Sequence, residues 1–113
     1  MCIARAYEHI TRETQMIRIV YVWQVKPEHI AAFRDAWQRA TTMIHEAIAG
    51  ARGSFLLQSK GDPGRILTVA RWDSFEAWEA FWNTANPREM FEMRALGERV
   101  CVTAYDEVGD FTV

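Results

Sequence analysis

The stretch SFLLQSKGDPGRILTVARWDSFEAWEAFW, residues 54–82, carries the order of the fold. Ser54 to Lys60, with Phe55, Leu56 and Leu57, reads as a short strand. Gly61-Asp62-Pro63-Gly64 follows as a dense turn, because glycine accepts positive φ and proline presets its own. A hairpin is the natural result. Its return arm, Arg65 to Trp72, carries Ile66, Leu67, Val69 and Ala70 on both alternating faces, as a strand covered on both sides does. Asp73-Ser74 breaks that arm with N-cap chemistry, and Glu76 stands three residues beyond Asp73 in a capping-box-like spacing. The helix it opens, over about residues 74–84, places Phe75, Trp78, Phe81 and Trp82 on one side.

Upstream, Met16 to Lys26 is β-branched and aromatic on both faces (Ile17, Ile19, Val20, Tyr21, Val22, Trp23, Val25), the pattern of a central strand. Pro27-Glu28 starts a helix, since proline loses nothing in a first turn and the acid suits the positive end of the helix dipole. Ile30, Phe33, Trp37, Ala40, Ile44 and Ile48 mark its apolar face, and Gly50 closes it. Downstream, Asn86-Pro87 restarts the chain into a short helix in which Met90, Met93 and Leu96 share a face. Arg99 to Tyr105 returns as a strand, with Val100, Val102 and Ala104 alternating against Cys101, Thr103 and Tyr105. Residues 1–15 show no periodicity and form an arm of uncertain structure before one domain over residues 16–113. The order is β-α-β-β-α-β with an extra short helix, an α+β, ferredoxin-like pattern. Helices cover one face of the sheet. The other still carries apolar side chains, which a homodimer packing sheet on sheet would bury.

A chain of 113 residues supports one core. The net charge of −2, from 13 basic and 15 acidic residues without a basic run, argues against nucleic acid. Cys2 and Cys101 form no metal motif and read as free thiols. No apolar run approaches the roughly 18 residues of a membrane span, and the first residues lack a signal-peptide apolar region, so no membrane is expected and the cytoplasm is the expected location. His29 and His45 lie on one helix about 160° apart, so they do not share a metal. No phosphate loop, nucleotide fingerprint, nucleophile triad or zinc motif is present.

Trp72-Asp73-Ser74-Phe75-Glu76-Ala77-Trp78, preceded by a hydrophobic hairpin strand and followed by an aromatic helix, resembles the antibiotic biosynthesis monooxygenase family. Val25-Lys26-Pro27-Glu28 with Phe33 and Trp37, and the Gly-x-x-Gly of Gly50 and Gly53, fit the same pattern. The resemblance implies a dimeric α+β barrel of two ferredoxin-like subunits, each with a pocket between sheet and helices. It also implies oxygenation of a small aromatic or quinol-type compound with O2 and no cofactor, neither metal nor flavin, although some relatives bind or degrade haem and fold kinship alone does not choose. The haem-degrading relatives use an asparagine on the first strand, a tryptophan after the hairpin and a histidine on the next helix. Trp78 or Trp82 matches the tryptophan, but residues 16–26 hold no asparagine and residues 87–97 no histidine.

A flat aromatic substrate suits aromatic walls, and Trp23, Phe33, Trp37, Trp78, Phe81 and Trp82, with Met90, Met93 and Arg94, are the candidate pocket lining. Oxygenation without a cofactor needs polar groups that stabilise developing negative charge. Arg71, Asn83 and Tyr105 are candidates for that work beside Trp72. Each has an ordinary use as a surface, capping or packing residue. The rival reading is a non-catalytic dimer that binds a hydrophobic ligand or haem.

Overall fold

The computed structural model describes residues 2–4, 15–83 and 90–112. Cys2–Ala4 forms β1. The remaining elements are β2 (Ile17–Val25), a 3₁₀ turn (Pro27–His29) leading into α1 (Ile30–Ala47), β3 (Ala51–Gln58), β4 (Arg65–Trp72), α2 (Phe75–Trp82), α3 (Phe91–Leu96) and β5 (Gly97–Asp106). The strands form one sheet in the order β1-β5-β2-β4-β3. From β2 onward the order is the ferredoxin-like one, with β5, β2, β4 and β3 paired antiparallel. β1 adds a parallel strand along β5, inside the stretch whose sequence carries no periodicity. The Asn86-Pro87 helix start and His9 lie outside the described residues.

β2 explains the layering. Ile17, Ile19, Tyr21, Trp23 and Val25 are buried at alternate positions under the helices, while Arg18, Val20 and Val22 point to the other face. β4 adds Ile66, Thr68 and Trp72 to the helix side. Above them α1 buries Phe33, Ala36 and Ala40, with Ile30, Trp37, Ile44 and Ile48 partly covered. Trp78, Phe81, Met90 and Met93 close the layer. The opposite face is apolar and open: Phe55 is 48% exposed and Leu57 47%, beside partly covered Val20, Val22, Leu67 and Val69.

Three local readings change. Ser74, rather than Asp73, caps α2: its Oγ accepts from the Ala77 N–H at 3.1 Å, while Asp73 takes Arg52 Nε at 2.6 Å. In β5 the simple alternation breaks, because Val22 pairs with Cys101 and Trp23 with Arg99, leaving Val100 as a bulge. Cys101 is disulfide-bonded, which corrects its reading as a free thiol. The register that sets residue 2 opposite residue 101 is non-local, so spacing along the chain gave no sign of it. Disulfides persist in oxidising surroundings, so the cysteines no longer argue for a reducing compartment. Among the described residues no helix is long and apolar enough to cross a membrane.

Candidate functional site

Between the helix layer and the sheet lies a cavity of about 50 Å³. Alternation brings Tyr21 from β2 and Thr68, Ala70 and Trp72 from β4 to its floor; α1 contributes Trp37, Thr41, Ile44 and His45, and Phe81, Met90 and Met93 complete the walls. Trp72 and Phe81 meet with ring centres 5.4 Å apart. The walls are mostly apolar, as ligand pockets are.

Most polar groups at the rim are already engaged. Trp37 Nε1 donates to Ser54 Oγ at 2.8 Å, and that hydroxyl lies 3.4 Å from Thr41 Oγ1. Trp23 Nε1 donates to Thr68 Oγ1 at 3.1 Å, and Trp78 Nε1 donates to the Tyr21 hydroxyl at 3.2 Å. His45 Nδ1 sits 3.1 Å from the Ala51 carbonyl, which only accepts, so this contact places the proton on Nδ1. Tyr21 is fully enclosed, and burial pushes its pKa up to about 12 against the opposing pull of the Trp78 hydrogen bond and the Arg99 charge. The phenol is therefore a neutral donor at every physiological pH.

Of the residues singled out in the sequence, the structure brings Trp37, Trp72, Phe81, Met90 and Met93 around this cavity. Trp23 and Phe33 pack edge to face, centres 5.0 Å apart, in the core beside it. Trp78 and Trp82 stack at 5.3 Å behind Tyr21. Arg71 borders the cavity, but strand alternation turns its guanidinium to the far face, where two bonds of 3.1 and 3.0 Å tie it to Glu107. Tyr105 stands opposite Arg18 on that far face, 53% exposed. Asn83 is the exposed C-cap of α2, and Arg94 is exposed on α3. These last four do not converge with Trp72 in this subunit.

Tyr21, Thr41, Ser54 and Thr68 border the space without having been singled out, and His45, weighed in the sequence with His29 as a metal pair, borders it too. For Tyr21 and Thr68 a signal existed: each shares the parity of its strand's most buried neighbours, Trp23 for one and Ile66 for the other. Thr41 and His45 are on the border of α1's apolar stripe, where sequence pattern does not tell a cavity rim from a solvated edge.

The sequence from residue 16 to 93 matches the family model described as antibiotic biosynthesis monooxygenase. No curated protein matches the chain. Among solved structures it is similar to a mutant form of SnoaB from Streptomyces nogalater, a cofactor-independent oxygenase: 14% identity, TM-score 0.72, covering 88% of this chain and 99% of that one. A conserved protein of Methanosarcina mazei matches at 17% identity and TM-score 0.66, over 82% and 93% of the two chains. A Bacteroides thetaiotaomicron protein of unknown function matches at 16% and 0.67, over 82% and 98%. At such identities the structural matches speak for the fold. The family match spans more than half of the sequence, and the chain belongs to the antibiotic biosynthesis monooxygenase family.

Proposed function

We propose that this protein oxygenates a small phenolic or quinol-type compound with O2 in the cavity under α1, α2 and α3. The observation that carries this reading is a partly enclosed, aromatic-walled space holding Trp37, Trp72 and Phe81, with a neutral phenol donor, Tyr21, in its floor. The chemistry balances without an external reductant. A phenol loses a proton, its anion passes one electron to O2, and the radical pair couples to a ring peroxide. Cleavage of the O–O bond with loss of the second proton leaves a quinone carbonyl and one water. The protein's part is to orient the ring against the aromatic walls, to exclude bulk water and to favour the substrate anion.

Volume narrows the substrate. A free space of about 50 Å³ accommodates O2 or a few waters, whereas an engineered cavity that binds benzene measures about 150 Å³. A single ring enters only if the walls yield, and Met90 and Met93 are the flexible, polarisable side chains able to do so. One ring is therefore a better fit than a fused polycycle.

The open face of the sheet supports a second part of the reading. Phe55, Leu57, Val20, Val22, Leu67 and Val69 present a surface of the kind monomers rarely leave in water, and a homodimer packing sheet against sheet buries it. That assembly would also enclose the Arg18–Glu107–Arg71 ion cluster of each copy.

The test is O2 uptake by chelator-treated protein offered a panel of one-ring phenols and dihydroquinones. Uptake above the uncatalysed rate, lowered at least tenfold by Trp72→Phe or by narrowing the cavity with Ala70→Leu, is the expected result. Absence of uptake across the whole panel overturns the oxygenase reading.

A further inference from the structure

Oxygenation of a phenol begins with the loss of its proton, and the cavity offers that proton few destinations. Among the described residues its lining holds no aspartate or glutamate. Tyr21 is a neutral donor, and Arg71 is a cation tied to Glu107 on the far face. Histidine is the side chain suited to exchanging protons near neutral pH, and among the described residues the lining has one, His45.

The helix places it by spacing. Trp37, Thr41 and His45 follow at four-residue steps, so they form a row along one side of α1, and all three line the cavity. β3 meets this row with Ala51 and Ser54. The Ala51 carbonyl accepts from His45 Nδ1 at 3.1 Å, which leaves the lone pair on Nε2, and Nε2 has no hydrogen-bond partner among the described residues. A ring tied in this way is fixed in tautomer and direction, the arrangement in which a base is held for work by a third group. The same carbonyl would stabilise the cation formed when Nε2 gains a proton. One turn back, Ser54 Oγ accepts from Trp37 Nε1 and lies 3.4 Å from Thr41 Oγ1, so the two hydroxyls retain a proton to offer a ligand oxygen. An acceptor and a donor thus stand on neighbouring turns of one wall. His45 is itself exposed, at the open side of the space.

We propose that His45 Nε2 is the general base that takes the hydroxyl proton of a one-ring phenol seated in the cavity, with the Thr41–Ser54 hydroxyl pair holding the phenolic oxygen. This deepens the oxygenase reading and rests on its placing a phenol in that cavity. The substrate O–H bond breaks, its electron pair stays on the phenolic oxygen, and the proton forms the second N–H of an imidazolium. The phenolate is then the species that passes an electron to O2. As the O–O bond of the ring peroxide breaks, His45 returns its proton to the departing oxygen. That proton and the one lost from the ring complete the water, and the neutral imidazole is restored.

Two measurements on the whole chain test the base, one of them without turnover. The first uses 4-nitrophenol below its own pKa, where the free dye is mostly neutral and the yellow band reports the phenolate. Binding to wild type should raise the phenolate fraction above that of free dye at the same pH. His45→Gln should remove the rise while dye affinity stays within about threefold, since the base acts on the proton rather than on the ring. The second is O2 uptake with hydroquinone. His45→Gln should lower kcat by about a hundredfold or more, the scale of general-base catalysis, with KM nearly unchanged. In His45→Ala, free imidazole entering through the open side should restore part of kcat, a rescue that a merely structural role would not give. No rise in phenolate with wild type, or the same rise with His45→Gln, overturns the proposal. O2 uptake by His45→Gln at the wild-type rate overturns it as well and leaves the oxygenase reading standing. A His45-dependent rise in phenolate without O2 uptake keeps the base and removes the oxygenase.

Discussion

Gly50 and Gly53 both adopt the left-handed region, φ +94° and +92°, on either side of the α1–β3 junction, yet their surroundings differ. A Cβ on Gly50 would stand 2.8 Å from Ala77 Cβ on α2, whereas one on Gly53 meets nothing within 4 Å. Gly53→Ala should therefore cost only the backbone strain, about 1–2 kcal/mol. Gly50→Ala should cost clearly more, because α2 must move, and urea denaturation of the two variants would show it; equal losses would refute the packing explanation. Glu107 makes a second residue-scale prediction. Hydrogen bonds from Arg71, then Arg18, hold its carboxyl below the usual glutamate range. A carboxylate with a depressed folded pKa adds stability that is fully present above its unfolded pKa and is lost as pH falls through the folded one. Glu107→Gln should flatten the acid limb of a stability-against-pH curve while changing the neutral plateau less. Cys101 gives the third: alkylation of the denatured protein should label it only after reduction.

Among elements, α2 depends on a single cap. Ser74→Ala removes the Oγ that accepts from Ala77 N–H and should cost about 1 kcal/mol, whereas Asp73→Ala breaks only the exposed pair with Arg52 and should cost less than that. Chemical denaturation ranks the two, and the opposite ranking would return the cap to Asp73. The Asp-Ser pair could be read as a cap from sequence, but choosing between its members needs backbone geometry. β2, α1, the hairpin and α2 were legible because hydrophobic period and turn chemistry agree over each of them. β5 was legible as a strand and misread in its facing, since a bulge changes parity without any marker residue at Val100. β1 was illegible, because three residues hold too little pattern and its partner lies a hundred positions away.

At the level of the whole molecule, the half-exposed Phe55 and Leu57 predict self-association. Sedimentation should find a dimer at micromolar concentration, and Leu57→Glu should shift it toward monomer with little loss of monomer stability; a monodisperse wild-type monomer would remove the interface. The aromatic wall of the cavity was visible in the sequence as a count of large rings, but which rings meet was not. Trp37, Trp72 and Phe81 converge while Trp23 and Phe33 pack the core, a division set by the crossing of α1 over the sheet. The polar rim was harder still for Thr41 and Ser54, which the fold brings together from α1 and β3. The parallel run of β1 along β5 has a last consequence for solubility. A sheet invites strand addition at both edges, here β1 with three residues and β3 with eight, so β3 offers a stray segment the longer ladder. The register shift between Ala51 and Ser54 roughens that strip, so any fibrillar growth from this protein should begin beyond it, at residues 55–58.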